Sequence, residues 1–399
     1  MVTIVLPSSH RTEHKSTLEV TCGIKNSASG VHRPIAHCRM PSNKPTPRSC
    51  LPEAIPQLFY HRYQAKSYGR TVLYPPRHRG SVHLPIEVIS LILVHLGECD
   101  LLRASLANRL FYLECARIIY RIIPRMSLKR SAMVICALAR SPKLASLVQS
   151  YTITLKHADP TGNLYRLLAK AMSHMVNLRY LSFEVPGNKS WVLQKCTANI
   201  RWFKTSLDFD DELASWLSTK PYVHDMILTR AKTFSMQPHH LPNLSIIFGT
   251  PATVLSAISG RPITSVCFGL NGPVMLDLGN LSKATVAVDH LGVAFDPIPS
   301  WEELNCVDFV YRCSVYIPRV QKLSFFATRS TFSPTFYRIV TPLLSRFPSL
   351  KYLQFVLGEN GNTSPIDRST QLELLQDFHY NNPELRTVTF PGNLTWNIE

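Results

Sequence analysis

A short pattern, apolar-x-x-apolar-x-Phe, returns between residues 148 and 390 and restricts the architecture of this chain more than any other feature. It reads Leu178-Leu181-Phe183, Ile263-Val266-Phe268, Val320-Leu323-Phe325, Leu350-Leu353-Phe355 and Leu385-Val388-Phe390. Val148-Tyr151-Ile153 is a weaker copy, and LPNLSIIF (Leu241–Phe248) is a partial one. Most copies are introduced by Pro or Asn. The first anchors lie 30 residues apart from 148 to 178 and from 320 to 350, and 35 apart from 350 to 385.

Between the copies lie windows with apolar residues at three- and four-residue steps, the spacing of one helix face. They are Leu164–Met175, Leu213–Thr219, Thr253–Ser259, Glu302–Val310, Thr335–Arg346 and Gln371–Tyr380. A strand followed by a helix at a period near thirty predicts a leucine-rich-repeat-like solenoid. One such unit cannot bury its own apolar face, so neighbours must stack into a continuous core. The uneven spacing predicts an irregular α/β horseshoe. A doubly wound α/β domain with buried parallel strands would show similar apolar runs and is the alternative.

Residues 84–123 follow a different rule. Leu84-Pro85-x-Glu87 starts a helix: proline's fixed φ suits the first turn, and an acid there meets the positive end of the helix dipole. Ile89, Ile92, Leu93 and Leu96 form a stripe at i, i+3, i+4 and i+7, while Val88, Leu91 and Val94 make the rest of the surface apolar as well. Gly97 is expected to end this helix. A second helix runs through Asp100 with Leu101, Leu102, Leu106 and Leu110; a third carries Leu113, Ala116, Ile119, Tyr120 and Ile123. A helix that is apolar nearly all round needs cover on two sides. The residues alone leave two readings open: the trio packs wholly on the segment that follows, or it offers one face to a partner.

Charge divides the chain at about residue 80. Residues 1–80 hold twelve Lys/Arg, three Asp/Glu and nine prolines, a net +9 of the overall +17; the remaining 319 residues carry +8. A Pro-rich basic segment of this kind is expected to be a disordered tail, and specific nucleic-acid reading is not expected. The domains expected are therefore a tail over 1–80, a helical module over 81–124 and a solenoid over 125–399. A second helical segment opens the solenoid from Ser131 and is interrupted at Pro142. No apolar run approaches the length of a membrane span. Cys22, His32, His37, Cys38 and Cys50 match no standard zinc spacing, and no CxxC pair occurs, so neither metal nor cofactor is expected. The start MVTIVLPSSHRTEHK makes a poor signal peptide, which places the chain in the cytoplasm or nucleus.

Catalytic signatures are missing too. There is no GxGxxG, GxxxxGK[ST], GxSxG or HExxH. The cluster Asp208, Asp210, Asp211, Glu212 reads as an acidic helix start. His157 with Asp159 beside Pro160 reads as a turn, and His239-His240 before Pro242 as a loop. The chain is not expected to be an enzyme.

Against this background the run from Leu84 resembles the F-box motif. It has LP-x-E at the start, Ile92 and Leu96 in the first helix, and Asp100-Leu101 opening the second. Ala104-x-Leu106-x-Asn108-Arg109-x-Phe111 and Ala116-Arg117-x-x-Tyr120-x-x-Ile123 complete it, with Phe111 and Tyr120 where tryptophan is common. The segments ARSPKLASLVQSYTITL, MVNLRYLSFEV, WVLQKCTANIRWF, SGRPITSVCF and NPELRTVTFPGNLTW resemble the large F-box family of mushroom-forming fungi. The resemblance implies the substrate-recognition subunit of an SCF-type ubiquitin ligase. The residues implied in binding a Skp-type adaptor, and through it a cullin, are Leu84, Pro85, Ile89, Ile92, Leu93, Leu96, Leu101, Leu102, Leu106, Phe111 and Tyr120. The horseshoe would hold a protein target, with Arg179, Lys322 and Lys351 among its exposed strand positions. A repeat scaffold whose F-box-like helices only cap the solenoid is the alternative.

Overall fold

The computed structural model describes Ile4–Val5 and residues 84–398, apart from 156–161, 231–235, 273, 296–300, 328–330, 359–365 and 393. The tail expected over 1–80, apart from Ile4–Val5, lies outside the described residues. So do the Cys22–Cys50 group, His157 and Asp159.

Three helices open the described chain: α1 (Ile86–Val94), α2 (Glu98–Ala104) and α3 (Arg109–Arg121). The Pro85 carbonyl accepts from the amides of Val88 and Ile89, both at 3.1 Å. Asn108 caps α3 by accepting from the Phe111 amide at 2.9 Å. α1 stops at Val94, three residues before Gly97, which instead stands at the N-cap of α2.

A thirteen-stranded sheet follows. Its strands are β1 (Ile4–Val5), β2 (Ile122–Ile123), β3 (Ser150–Thr154), β4 (Tyr180–Glu184), β5 (Trp202–Thr205), β6 (Asp225–Leu228), β7 (Ile246–Gly249), β8 (Ser265–Gly269), β9 (His290–Phe295), β10 (Lys322–Ala327), β11 (Tyr352–Leu357), β12 (Thr387–Phe390) and β13 (Leu394–Ile398). From β2 to β12 every strand lies parallel to the next in chain order; β13 turns back antiparallel on β12, and β1 pairs antiparallel with β13. A doubly wound sheet reverses its strand order at a switch point. This one never does among the described strands, and the alternative architecture falls. The fold is an irregular α/β solenoid.

Register explains the sequence pattern. Tyr151, Leu181, Phe203, Met226, Ile247, Val266, Leu291, Leu323, Leu353 and Val388 are aligned partner to partner across ten strands. The anchors three residues earlier are all buried: Val148, Leu178, Ile200, Val223, Leu244, Ile263, Val288, Val320, Leu350 and Leu385. The step between successive anchors shrinks to 19 residues (Leu244 to Ile263) and stretches to 35 (Leu350 to Leu385).

The connecting helices occur where the apolar spacing places them. Gly162–His174, Asp211–Ser218, Pro251–Ile258, Trp301–Tyr316 and Arg368–Asn381 match their windows, and the Thr335–Arg346 window splits into an α-helix (Pro334–Val340) and a 3-10 turn (Thr341–Arg346). The helical segment from Ser131 breaks at Ser141, between Leu128–Arg140 and Pro142–Ala145. The acidic cluster is a cap: Asp210 accepts from the Leu213 amide at 2.7 Å, and Ser190 donates to Asp210 and Glu212. Helix residues such as Ile135, Leu168, Leu217, Val254, Phe309, Phe336 and Phe378 share one core with the sheet anchors. The opposite face of the sheet carries a smaller buried apolar patch, Ile227, Phe248, Cys267 and Ala294, with Trp202 and Phe326 against it.

Candidate protein-interaction site

The three helices have a small core of their own, built on Ile89, Leu93, Leu101 and Cys115. Leu96, Ala104, Phe111, Ile118 and Ile119 pack against it half-buried. A polar clamp reinforces the pairing of α1 with α3. The Ser90 hydroxyl donates to the buried Glu114 carboxylate at 2.7 Å, and the Arg117 guanidinium reaches the same carboxylate at 3.2 Å. Burial, and then the Glu114 charge, push the neighbouring Cys115 thiol upward in pKa, so it behaves as an inert apolar filler.

This core divides the residues that the F-box resemblance implicates. Ile89, Leu93 and Leu101 point inward and shape the surface from beneath. Leu84, Pro85, Ile92 and Leu106 are exposed, whereas Leu96, Leu102, Phe111 and Tyr120 are half-buried. Tyr120 packs on the main solenoid core, not the small one. Outside the implicated set, Leu91 is 67% exposed and Val94 61%, and Leu110 and Leu113 are exposed as well. Large aliphatic side chains are thus exposed at many positions within about forty residues.

α3 does not end in a linker. Its last residue, Arg121, runs directly into β2, where Ile122 and Ile123 pair with Ser150 and Tyr151 of β3. Ile123, the last residue of the F-box-like pattern, is buried in the main core. The 81–124 module and the 125–399 solenoid therefore share their first rung.

The sheet face away from the helices is the second surface. At one end Glu184 and Lys204, from neighbouring strands, form a buried ion pair at 2.8 Å. In the middle Gly292 has no room for a side chain: a Cβ there would sit 2.7 Å from Cys267 Sγ and 3.2 Å from Phe326 Cε2. Gly292→Ala is expected to destabilise by about 1–3 kcal/mol, the cost of overpacking. Adding Cys267→Ala should recover most of that loss, and a denaturation midpoint unmoved by the single change would refute the packing.

His290 crosses three strands. One ring nitrogen lies 2.9 Å from the Ser265 hydroxyl and the other 3.0 Å from that of Ser324. Burial first, and then the Lys322 charge, lower its pKa from 6.5 to about 4. Above pH 6.5 the ring is neutral in the folded and unfolded chain alike, and pH has no leverage through it. Below that value the unfolded chain binds a proton that folded His290 refuses until about pH 4, so stability falls as the pH drops through this window. His290→Gln should flatten the decline of Tm between those two pH values; an identical slope would show that the site does not carry it.

Among the described residues no group of His, Cys, Asp and Glu is arranged to hold a metal ion, and no helix is long and apolar enough to cross a membrane. Of the strand positions expected to face a target, Arg179 is exposed, and Lys322 and Lys351 are half-buried.

No family model matches the chain, and no curated protein does. Two of the solved structures that share a distant likeness with the chain illustrate it. One is the crystal structure of a TLR13–ssRNA13 complex, 12% identical with a TM-score of 0.34; it is matched over 63% of this chain, which spans about a third (33%) of its length. The other is an internalin (inlF) from Listeria monocytogenes, also 12% identical with a TM-score of 0.34, matched over 66% of this chain and 81% of its own. The solenoid assignment rests on the strand order and register described above.

Proposed function

We propose that the chain is the substrate-recognition adaptor of an SCF-type ubiquitin ligase, with the helical module binding a Skp-type adaptor and the solenoid binding a protein target. The observation that carries this reading is the number of exposed aliphatic side chains on the module: Leu84, Leu91, Ile92, Val94, Leu106 and Leu113. Burying each contributes roughly 1.5–3 kcal/mol, so four of them in a groove sustain a tight complex after the costs of association. In this reading the catalysis of ubiquitin transfer resides in other subunits, and this chain brings the target to them.

A second reading has a specific observation behind it. Because α3 continues into β2, the helices also close the end of the solenoid, as a cap would. A cap, however, turns a polar face outward, and this module turns out an apolar one. Co-expression of the intact chain with a Skp-type adaptor separates the two: stoichiometric co-purification is expected for the ligase subunit, and its absence would leave the scaffold.

A further inference from the structure

The strand entrances on one end of the sheet carry a chemistry that the module does not use. Arg121, Gln149, Arg179, Arg201 and His224 occupy successive rungs, each amide from Gln149 onward donating to the carbonyl of the residue before it in this series at 2.8–2.9 Å. Rungs of a sheet are about 4.8 Å apart. Arg179, Arg201 and His224 are exposed, and among the described residues no carboxylate lies within ion-pairing distance of Arg179 or Arg201. One residue further on, Tyr180 and Trp202 are register partners, the first exposed and the second half-buried.

We propose that this arginine–aromatic stripe binds an acidic, extended peptide segment of a protein partner. Guanidinium groups bind carboxylates through two parallel hydrogen bonds, and here two of them stand on adjacent rungs with no acid in ion-pairing range among the described residues. Side chains on one edge of an extended peptide recur at about 7 Å, close enough to the rung spacing for two acids to reach neighbouring arginines. Tyr180 and Trp202, one residue further along the same two strands, are available to pack on apolar parts of the peptide. A nucleic-acid strand fits less well: Asp225 is the register partner of Trp202, and evenly spaced phosphates crossing the stripe would meet its carboxylate. A peptide can place a neutral residue there. The inference deepens the target-binding half of the proposed function and rests on it.

The test is fluorescence anisotropy with the full chain at low ionic strength and a labelled peptide of five Glu-Ser repeats. Saturable binding is expected, weakened on the order of tenfold by the double change Arg179→Ala and Arg201→Ala. Lys351→Ala, on a distant rung, should leave it unchanged, and a Lys-Ser peptide of the same length should not bind. The proposal is overturned by absence of saturable binding, by equal weakening from Lys351→Ala, or by tighter binding of a ten-residue oligothymidine. The same titration on Ile92→Asp keeps the two ideas apart, since lost adaptor binding with retained peptide binding implicates the module alone.

Discussion

Ile92→Asp is expected to abolish capture of the chain by a Skp-type adaptor while leaving its melting transition in place. Ile92 is 50% exposed and belongs to no buried cluster, so a carboxylate there is solvated in the free protein and costs little. In the complex the same change removes roughly 1.5–3 kcal/mol of apolar burial and adds the desolvation of an unpaired charge. Together these approach 4 kcal/mol or more, a loss of about a thousandfold in affinity. Leu84→Ala with Pro85→Ala should weaken capture as well. Leu93→Asp provides the contrast: at 1% exposure it sits in the module core, and it should unfold the helices before any partner is involved. A pull-down in which Ile92→Asp binds like the native chain would remove this face from the interface.

The second large effect lies at the opposite end of the solenoid. Phe355 is 1% exposed, and its ring is stacked between Phe325 at 5.6 Å and Phe390 at 6.1 Å. Tyr337, Phe332 and Phe378 close around it at 4.8, 5.5 and 6.2 Å. The three stacked rings come from adjacent strands, so each is an inter-repeat contact and not decoration within a repeat. Phe355→Ala should cost about 3–5 kcal/mol through lost transfer energy and the cavity left behind, read as a fall in Tm of roughly 10 °C. In a stack of nearest-neighbour units such damage loosens the adjoining repeats first. Hydrogen exchange should therefore accelerate in β10 to β12 before β3 to β5. An unaltered Tm would show that the seam is not a core.

Much of this fold is legible in the sequence, and the parts that are not have physical reasons. The copies ending in phenylalanine stand out because a large aromatic third anchor is rare by chance. Ile200-x-x-Phe203-x-Thr205, Val223-x-x-Met226-x-Leu228 and Val288-x-x-Leu291-x-Val293 occupy the same positions but pass unnoticed. Their third residue is small or aliphatic, and their spacing departs from thirty because the helices between them shrink to eight residues or to 3-10 turns. Thr205 is acceptable in a core only because its hydroxyl donates to the Phe183 carbonyl at 3.0 Å, a pairing set by strand register. The Lys204–Glu184 pair and the His290 bridge are invisible for the same reason.

The module was readable as three helices, but not its faces. Ile89, Ile92 and Leu93 share a stripe on paper, yet steps of about 100° per residue put Ile92 well away from Leu93, on the shoulder of that stripe. Packing against α3 selects Ile89 and Leu93 and leaves Ile92 outside. The F-box resemblance names residues from both groups, and only the fold separates those that support the surface from those that form it.

The direct passage from α3 into β2 has a mechanical consequence. Because α3 runs into β2 at Ile122 without an intervening loop, a partner on the helices would be held at a fixed bearing to one on the strands. The distance and angle between two such cargoes are then set by how many rungs separate them, not by diffusion of a tether. Lengthening this protein's reach would mean adding a repeat; loosening its aim would mean cutting the first hydrogen bonds of the sheet.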